Sequence, residues 1–235
     1  MTQAIVALSG GIDSTTVLAY VLQKYGEPVQ CVSFTYGSKH NQYENEAARQ
    51  VASYYKQPLM EIDLSAIMAS FKSDLLKSGG KIPEGHYADA NMSKTVVPAR
   101  NIIFASILAG VAWSNDVPIV ALGIHAGDHV IYSDCRPAFF YAMNRAILYG
   151  TEKVRLKAPF LNVDKGSIIN WGLLNEVPYH LTRTCYKDQP VACGLCGSCQ
   201  ERLEAFVLNH VQDPIQYEAQ NGPTENTVSY SRTTP

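Results

Sequence analysis

The chain's 235 residues suffice for one domain with an appended element, and 46% hydrophobic with 17% charged residues is the composition of a globular protein able to bury a sizeable core. The 19 Lys and Arg against 21 Asp and Glu leave a formal charge of -2 with no basic run, which argues against a nucleic acid as direct substrate. No uninterrupted apolar run reaches bilayer-spanning length and a buried-type strand begins close to Met1, so the expectation is a cytoplasmic chain with no leader and no membrane partner.

In chain order, residues 4–8 form an apolar strand that runs into Ser9-Gly10-Gly11-Ile12-Asp13-Ser14-Thr15, and a helical pattern starting near Ser14 continues to about Tyr25. Residues 29–36 and 59–64 read as strands on either side of a polar helix over 42–55. The Gly- and Pro-containing stretch 78–98 reads as a long loop expected to sit near the site, followed by a helix over 100–113 and a doubly buried strand over 119–124. Helices are expected to start near Pro137 and near Lys165, and residues 218–235 read as a mobile polar tail. This alternation predicts an α/β fold, a doubly wound parallel sheet, which takes its ligand outside the carboxyl ends of the strands. The loops 9–14, 36–40 and 125–134 fall at those ends.

The first of these loops reads as a phosphate cradle. Gly10 and Gly11 permit tight turns and close approach of bare amides, and the following helix aims its positive end at the same place. Leu8, Ser9, Gly10, Gly11, Ile12, Asp13, Ser14 and Thr15 are the candidate nucleotide-binding residues, with hydroxyl donors from the Ser and Thr side chains and Asp13 placed to orient a metal-bound water or cap the helix. No Lys follows the glycines, so the pattern is not a Walker loop.

Four of the six cysteines, Cys185, Cys193, Cys196 and Cys199, follow a C-x7-C-x2-C-x2-C spacing that can wrap one tetrahedral ion. Zinc is the expected metal, with an iron-sulfur cluster or disulfides as the alternatives, and four sulfurs on one ion make it a staple rather than a reaction centre. Cys31 reads as a buried thiol, and Cys135 as a loop thiol without a neighbouring base. Arg100 begins a helix after Pro98, where a cation needs an anionic partner such as a triphosphate. Asp128, Tyr132, Asp134 and Arg136 crowd one loop, where carboxylates can accept from the N–H groups of a purine-like base and Arg can grip a carboxylate. Asp134 also suits the cap of the helix near Pro137, and Lys165 can reach a phosphate. His40, His86 and His125 show no metal-ligand spacing among themselves.

The loop 9–15 resembles the SGGxDS loop of the PP-loop ATP pyrophosphatase superfamily, whose members cleave ATP between the α and β phosphates to adenylate a substrate. With residues 97–101, the stretch 132–137, Lys165 and the run from Thr184 through Cys199, the chain resembles the 7-cyano-7-deazaguanine synthase family over residues 1–206. The resemblance implies an ATP-dependent carbon-nitrogen ligase. It would turn 7-carboxy-7-deazaguanine and ammonia into the nitrile through an acyl adenylate and an amide, with Mg2+ and Zn2+ as cofactors, as a homodimer. It further implies that the first loop and Lys165 serve pyrophosphate, that Arg100 serves ATP, that the 128–136 loop serves the deazaguanine, and that Arg100 and Lys165 are catalytic. The implied division is a nucleotide-binding domain over 1–180, a zinc-binding element over 181–217 and the tail. The chain departs from the family's Tyr-Pro-Asp-Cys-Arg-x-Glu at Ser133 and Ala138, which keeps open a relative that stops at the amide or uses another amine. The remaining readings are a tRNA-modifying PP-loop enzyme, disfavoured by the missing basic patch, and a non-enzymatic nucleotide-binding module, disfavoured by the dense 128–136 loop.

Overall fold

Strands buried on both faces carry near-continuous apolar runs, and Ala4, Ile5 and Val6 meet that condition at 0–1% exposure. They lie in β1 (Ala4–Ala7), the centre of the single parallel sheet in the computed structural model, which describes residues 1–86, 90–129 and 131–219. The other strands are β2 (Val29–Thr35), β3 (Leu59–Asp63), β4 (Ile119–Ala121) and β5 (Arg155–Lys157), in the order β3-β2-β1-β4-β5. Ala4 pairs with Val29 on one side of β1 and Ile5 with Val120 on the other. Strand order therefore reverses between β1 and β4, and a crevice opens there at their carboxyl ends.

Helices cover both faces. Beneath one face lie α1 (Ile12–Tyr25), α2 (Asn41–Tyr54), α6 (Lys165–Leu174) and α7 (Gly197–Leu208), which bury Val17, Leu18, Val51, Ile168 and Phe206 against Val6 and Cys31. The other face carries α4 (Arg100–Ser114) and α5 (Pro137–Thr151), which place Ala105, Leu108, Phe140 and Ile147 on Ile5 and Val32. A short α3 (Ser65–Met68) follows β3. The doubly wound parallel sheet predicted from the alternation is the architecture observed. The segment Asn91–Ser114, with a mean hydropathy of 1.6, is long and apolar enough to cross a membrane by length and composition, although no uninterrupted apolar run was expected to reach that length. In the fold its small residues Ala105, Ala109 and Ala112 let α4 lie close on the sheet.

Two elements have features that the sequence does not announce. β5 has the sequence Arg-Leu-Lys, with Leu156 alone buried, so no apolar run announces it; its place at the sheet edge is what admits the charges. The 78–98 loop lies against the cysteines and reaches the outside of the crevice wall through Thr95: Glu84 bridges to Cys196, the Gly85 N–H donates to the Leu195 carbonyl at 3.1 Å, and Ile82 packs on the cluster. Of the mobile tail expected over 218–235, residues 220–235 lie outside the described residues.

The carboxyl-terminal helix is amphipathic in an unusual way, since its buried stripe, Ser198, Cys199, Arg202, Ala205 and Phe206, contains a full charge. Arg202 has no exposed surface, and Asp213 answers it with both oxygens, at 2.6 Å from Nε and 2.8 Å from Nη2. Nη1 donates to Thr182 Oγ1 at 2.8 Å and the Tyr217 hydroxyl donates to Asp213 at 2.6 Å, so every charge in this knot has a partner.

Candidate active site

The crevice at the strand-order reversal is a cavity of about 190 Å3, more than ten times the roughly 10–15 Å3 that a single water needs. Leu8, Ser9, Gly11, Ile12, Asp13 and Ser14 line one wall of it. Ser14 shapes this loop: its Oγ accepts from the Ser9 N–H at 3.2 Å and donates to the Gly11 carbonyl at 3.2 Å. The helix starts at Ile12 rather than near Ser14, with Gly11 as an N-cap that offers no side-chain acceptor. Its first amides thus face the cavity wall without an internal cap, the arrangement that binds anions.

Gly10 and Thr15 stand behind the lining. Gly10 has φ of +79° and a Cβ there would lie 2.5 Å from the Ala48 nitrogen, so only glycine lets the loop rest on α2. Its carbonyl accepts from the Arg183 N–H at 2.9 Å, which ties the chain after residue 180 to the loop. Thr15 is fully buried, and its Oγ1 has no hydrogen-bond partner.

Beside the loop lies a group of five polar residues that holds one lysine, three acids and one histidine. Lys165, the first residue of α6 and 7% exposed, places Nζ 2.7 Å from Glu201 Oε2 and 3.2 Å from Asp13 Oδ2. Burial alone would lower the Lys165 pKa; the Asp13 and Glu201 charges reverse this and raise it, so the ammonium stays protonated. His125 is fully buried, and the Gly127 N–H donates to its Nδ1 at 3.1 Å, which leaves the proton of the neutral ring on Nε2. That nitrogen faces Asp128 Oδ2 at 3.5 Å and Asp13 Oδ2 at 3.7 Å. Asp13 Oδ1 is buried and has no hydrogen-bond partner, so it is the carboxylate oxygen that could meet a hydrated divalent cation accompanying a triphosphate.

The opposite end is aromatic. Arg100 lines it with its guanidinium 6.0 Å from the Tyr36 ring centre, and among the described residues no carboxylate forms an ion pair with it. Phe34 stacks on Phe104 at 4.1 Å, and Tyr132 and Tyr186 complete the wall. Burial first, and the Glu44 charge second, push the Tyr36 phenol up to about 12, so its hydroxyl remains a hydrogen-bond donor at neutral pH. The Tyr132 hydroxyl is paired with Thr95 Oγ1 at 2.8 Å, the contact by which the 78–98 loop supports this wall from outside.

The structure thus brings Arg100, Asp128, Tyr132 and Lys165 to one cavity with the first loop. Asp134 and Arg136 stand outside its lining. Asp134 accepts from the Asn101 N–H at 2.9 Å, which caps α4 from another segment because Ala99, at φ of 54°, has no side chain for the task. Arg136 is exposed at the N-cap of α5. The departures at Ser133 and Ala138 are likewise exposed and outside the lining. Sequence reasoning missed His40, Glu44, Tyr186, Ser198 and Glu201, all of which line the cavity. The spacing of Ser198 and Glu201 around Cys199 was the available signal, since a metal knuckle at a helix start presents its flanking residues in a fixed direction.

Cys185, Cys193, Cys196 and Cys199 are buried free thiols with sulfurs all within 4.8 Å of one another. One tetrahedral zinc with Zn–S bonds near 2.3 Å needs sulfurs about 3.8 Å apart, close to the 4.0 Å between Cys193 and Cys199. Backbone N–H groups of Cys193 and Lys187 donate to Cys185 Sγ at 3.3 and 3.4 Å, and those of Cys196 and Leu195 to Cys193 Sγ at 3.3 and 3.4 Å, as thiolates require. The four sulfurs therefore fit a single ion, and a multi-iron cluster would need them farther apart.

Known proteins are similar to this chain along most of its length. A 7-cyano-7-deazaguanine synthase from Caldicellulosiruptor saccharolyticus is 44% identical over 217 residues, covering 92% of this chain and 96% of that protein. One of the same name from Pseudoalteromonas atlantica is 44% identical over 217 residues, covering 92% and 99%. An NH3-dependent NAD synthetase structure from Campylobacter jejuni aligns at a TM-score of 0.47 and 15% identity, over 76% of this chain and 66% of that one. Residues 3–210 match the family described as queuosine biosynthesis protein QueC, and with relatives this similar along nearly their whole lengths, the chain belongs to that family.

Proposed function

We propose that this chain is an ATP-dependent ligase that converts 7-carboxy-7-deazaguanine and ammonia to 7-cyano-7-deazaguanine. The observation that carries the reading is the meeting, in one cavity, of an uncapped helix start at the Gly-Gly loop, a protonated Lys165 beside it and an Arg100 that forms no ion pair with a carboxylate among the described residues. A carboxylate is a poor electrophile and an amide oxygen a poor leaving group. Transfer of AMP to oxygen answers both needs, releasing pyrophosphate each time. Ammonia then displaces AMP to give the amide, and loss of AMP and protons from the adenylated amide gives the nitrile.

The residues' work is positioning and charge stabilisation. The amides at residues 12–14 would hold the pyrophosphate portion, and Lys165 would offset the charge that builds on it as the α-phosphate transfers. Arg100 would hold an anionic group at the aromatic end, a nucleotide phosphate or the carboxylate being activated, while Tyr132 and Asp128 would meet the deazaguanine. Mg2+ would travel with the triphosphate beside Asp13, and Zn2+ would occupy the four cysteines. Residues 1–180 then form the nucleotide-binding unit and 181–217 the metal-binding element; a homodimer in the cytoplasm belongs to the same reading.

The test is incubation with the acid, ATP and ammonium, followed by mass spectrometry of the base. The expected product is the nitrile, because Ser133 and Ala138 leave the cavity lining untouched. Accumulation of the amide while ATP is consumed would favour the divergent relative, and no dependence of AMP release on the acid would reject the substrate.

A further inference from the structure

We propose that Glu201 is a positioning residue for Lys165, holding its ammonium at the edge of the Gly-Gly loop before and while the nucleotide's pyrophosphate end is bound; this rests on the reading that the loop binds a nucleotide. A Lys side chain has a flexible four-carbon stem, and at the first position of a helix the dipole disfavours its charge. Nothing local restrains it, because the N-cap Asp164 spends its carboxylate on the Ser167 N–H at 2.7 Å. What fixes Nζ is the pair of carboxylates at 2.7 and 3.2 Å, from Glu201 and Asp13.

These two carboxylates are not equivalent. Asp13 belongs to the loop itself, so an arriving phosphate competes with it for the ammonium. Glu201 approaches from α7, outside the loop, and keeps its contact as the anion enters. Its own place is rigid: Cys199 in the metal cluster precedes it by two residues, and Arg202, locked on Asp213, follows it. Its second oxygen rests over Gly127, where an added Cβ would lie 2.9 Å away. Helix α7 thereby converts the stiffness of the cysteine knuckle into a fixed anchor for a loop-side cation.

A double-mutant cycle on the metal-loaded protein tests this. Glu201→Gln and Lys165→Met are made singly and together, with binding of α,β-methylene-ATP measured by calorimetry and AMP release measured in parallel. The expected result is a loss of about tenfold in analogue binding for Glu201→Gln in the native background, less than twofold in the Lys165→Met background, and a kcat for AMP release that falls more than KM for the acid rises. Glu201→Asp should recover part of the binding that Glu201→Ala loses, and it serves in the cycle if the Gln variant does not fold. Additive losses would overturn the proposal while leaving the nucleotide reading intact. A native chain that does not bind the analogue would remove both.

Discussion

Arg202 places a guanidinium where no water reaches, and that is tolerable only while Asp213 stands opposite with both oxygens. Asp213→Ala should therefore lower unfolding free energy by about 3–5 kcal/mol, read from urea denaturation of the metal-loaded protein, whereas a loss under 1 kcal/mol would mean that water enters the gap. Such pairs explain which residues the sequence discloses. Gly10, Asp13 and Ser14 announce themselves because loop chemistry is local: neighbours in sequence build one turn and one helix start. Glu201 is invisible by the same logic, since its meaning depends on Lys165, 36 residues away. Asp134 shows the intermediate case, a carboxylate legible as a helix cap whose helix is α4 rather than the one that follows it.

At the scale of elements, hydrophobic period identifies what is buried on a stripe or on both faces, and it is silent for β5, whose charged edges face outward. The metal knuckle is the element whose consequence reaches farthest. Four buried thiols repel one another as thiolates without an ion, so stripping the metal with a chelator should loosen the first turn of α7. Hydrogen exchange is expected to speed up over residues 197–202 and, through Glu201, at the start of α6, with a fall in thermal midpoint on the order of 5–10 °C. Cys199→Ser should reproduce the effect. Unchanged exchange at residues 165–168 would show that α6 holds its start without help from the knuckle.

The whole molecule carries buried groups that must remain neutral. Burial pushes the Cys31 thiol up to about 12 from 9.0, and burial together with the Glu44 charge pushes the Tyr36 phenol to about 12 from 10.0. Both pKa values are raised by folding, so the stability they contribute is complete below the unfolded values and is lost as pH climbs towards 12. The urea midpoint should stay level to about pH 9 and then fall; Cys31→Ala should make the fall between pH 9 and 12 shallower, and an unaltered slope would assign it to the phenols. The doubly wound plan itself was legible because strand and helix periods alternate cleanly from residue 4 to residue 124. The packing of the 78–98 loop on the cysteines was not, because a polar stretch with little periodicity does not say which neighbour will supply its partners.

Thr184, Tyr186, Ser198 and Glu201 all face the crevice, and all come from beyond residue 180. A chain cut at that point would retain its five strands but lose one side of the vessel in which the chemistry is held. The cysteine-bearing segment is thus no detachable handle, and a graft of the Gly-Gly half onto a different carboxyl-terminal extension would have to bring its own anchor for the lysine.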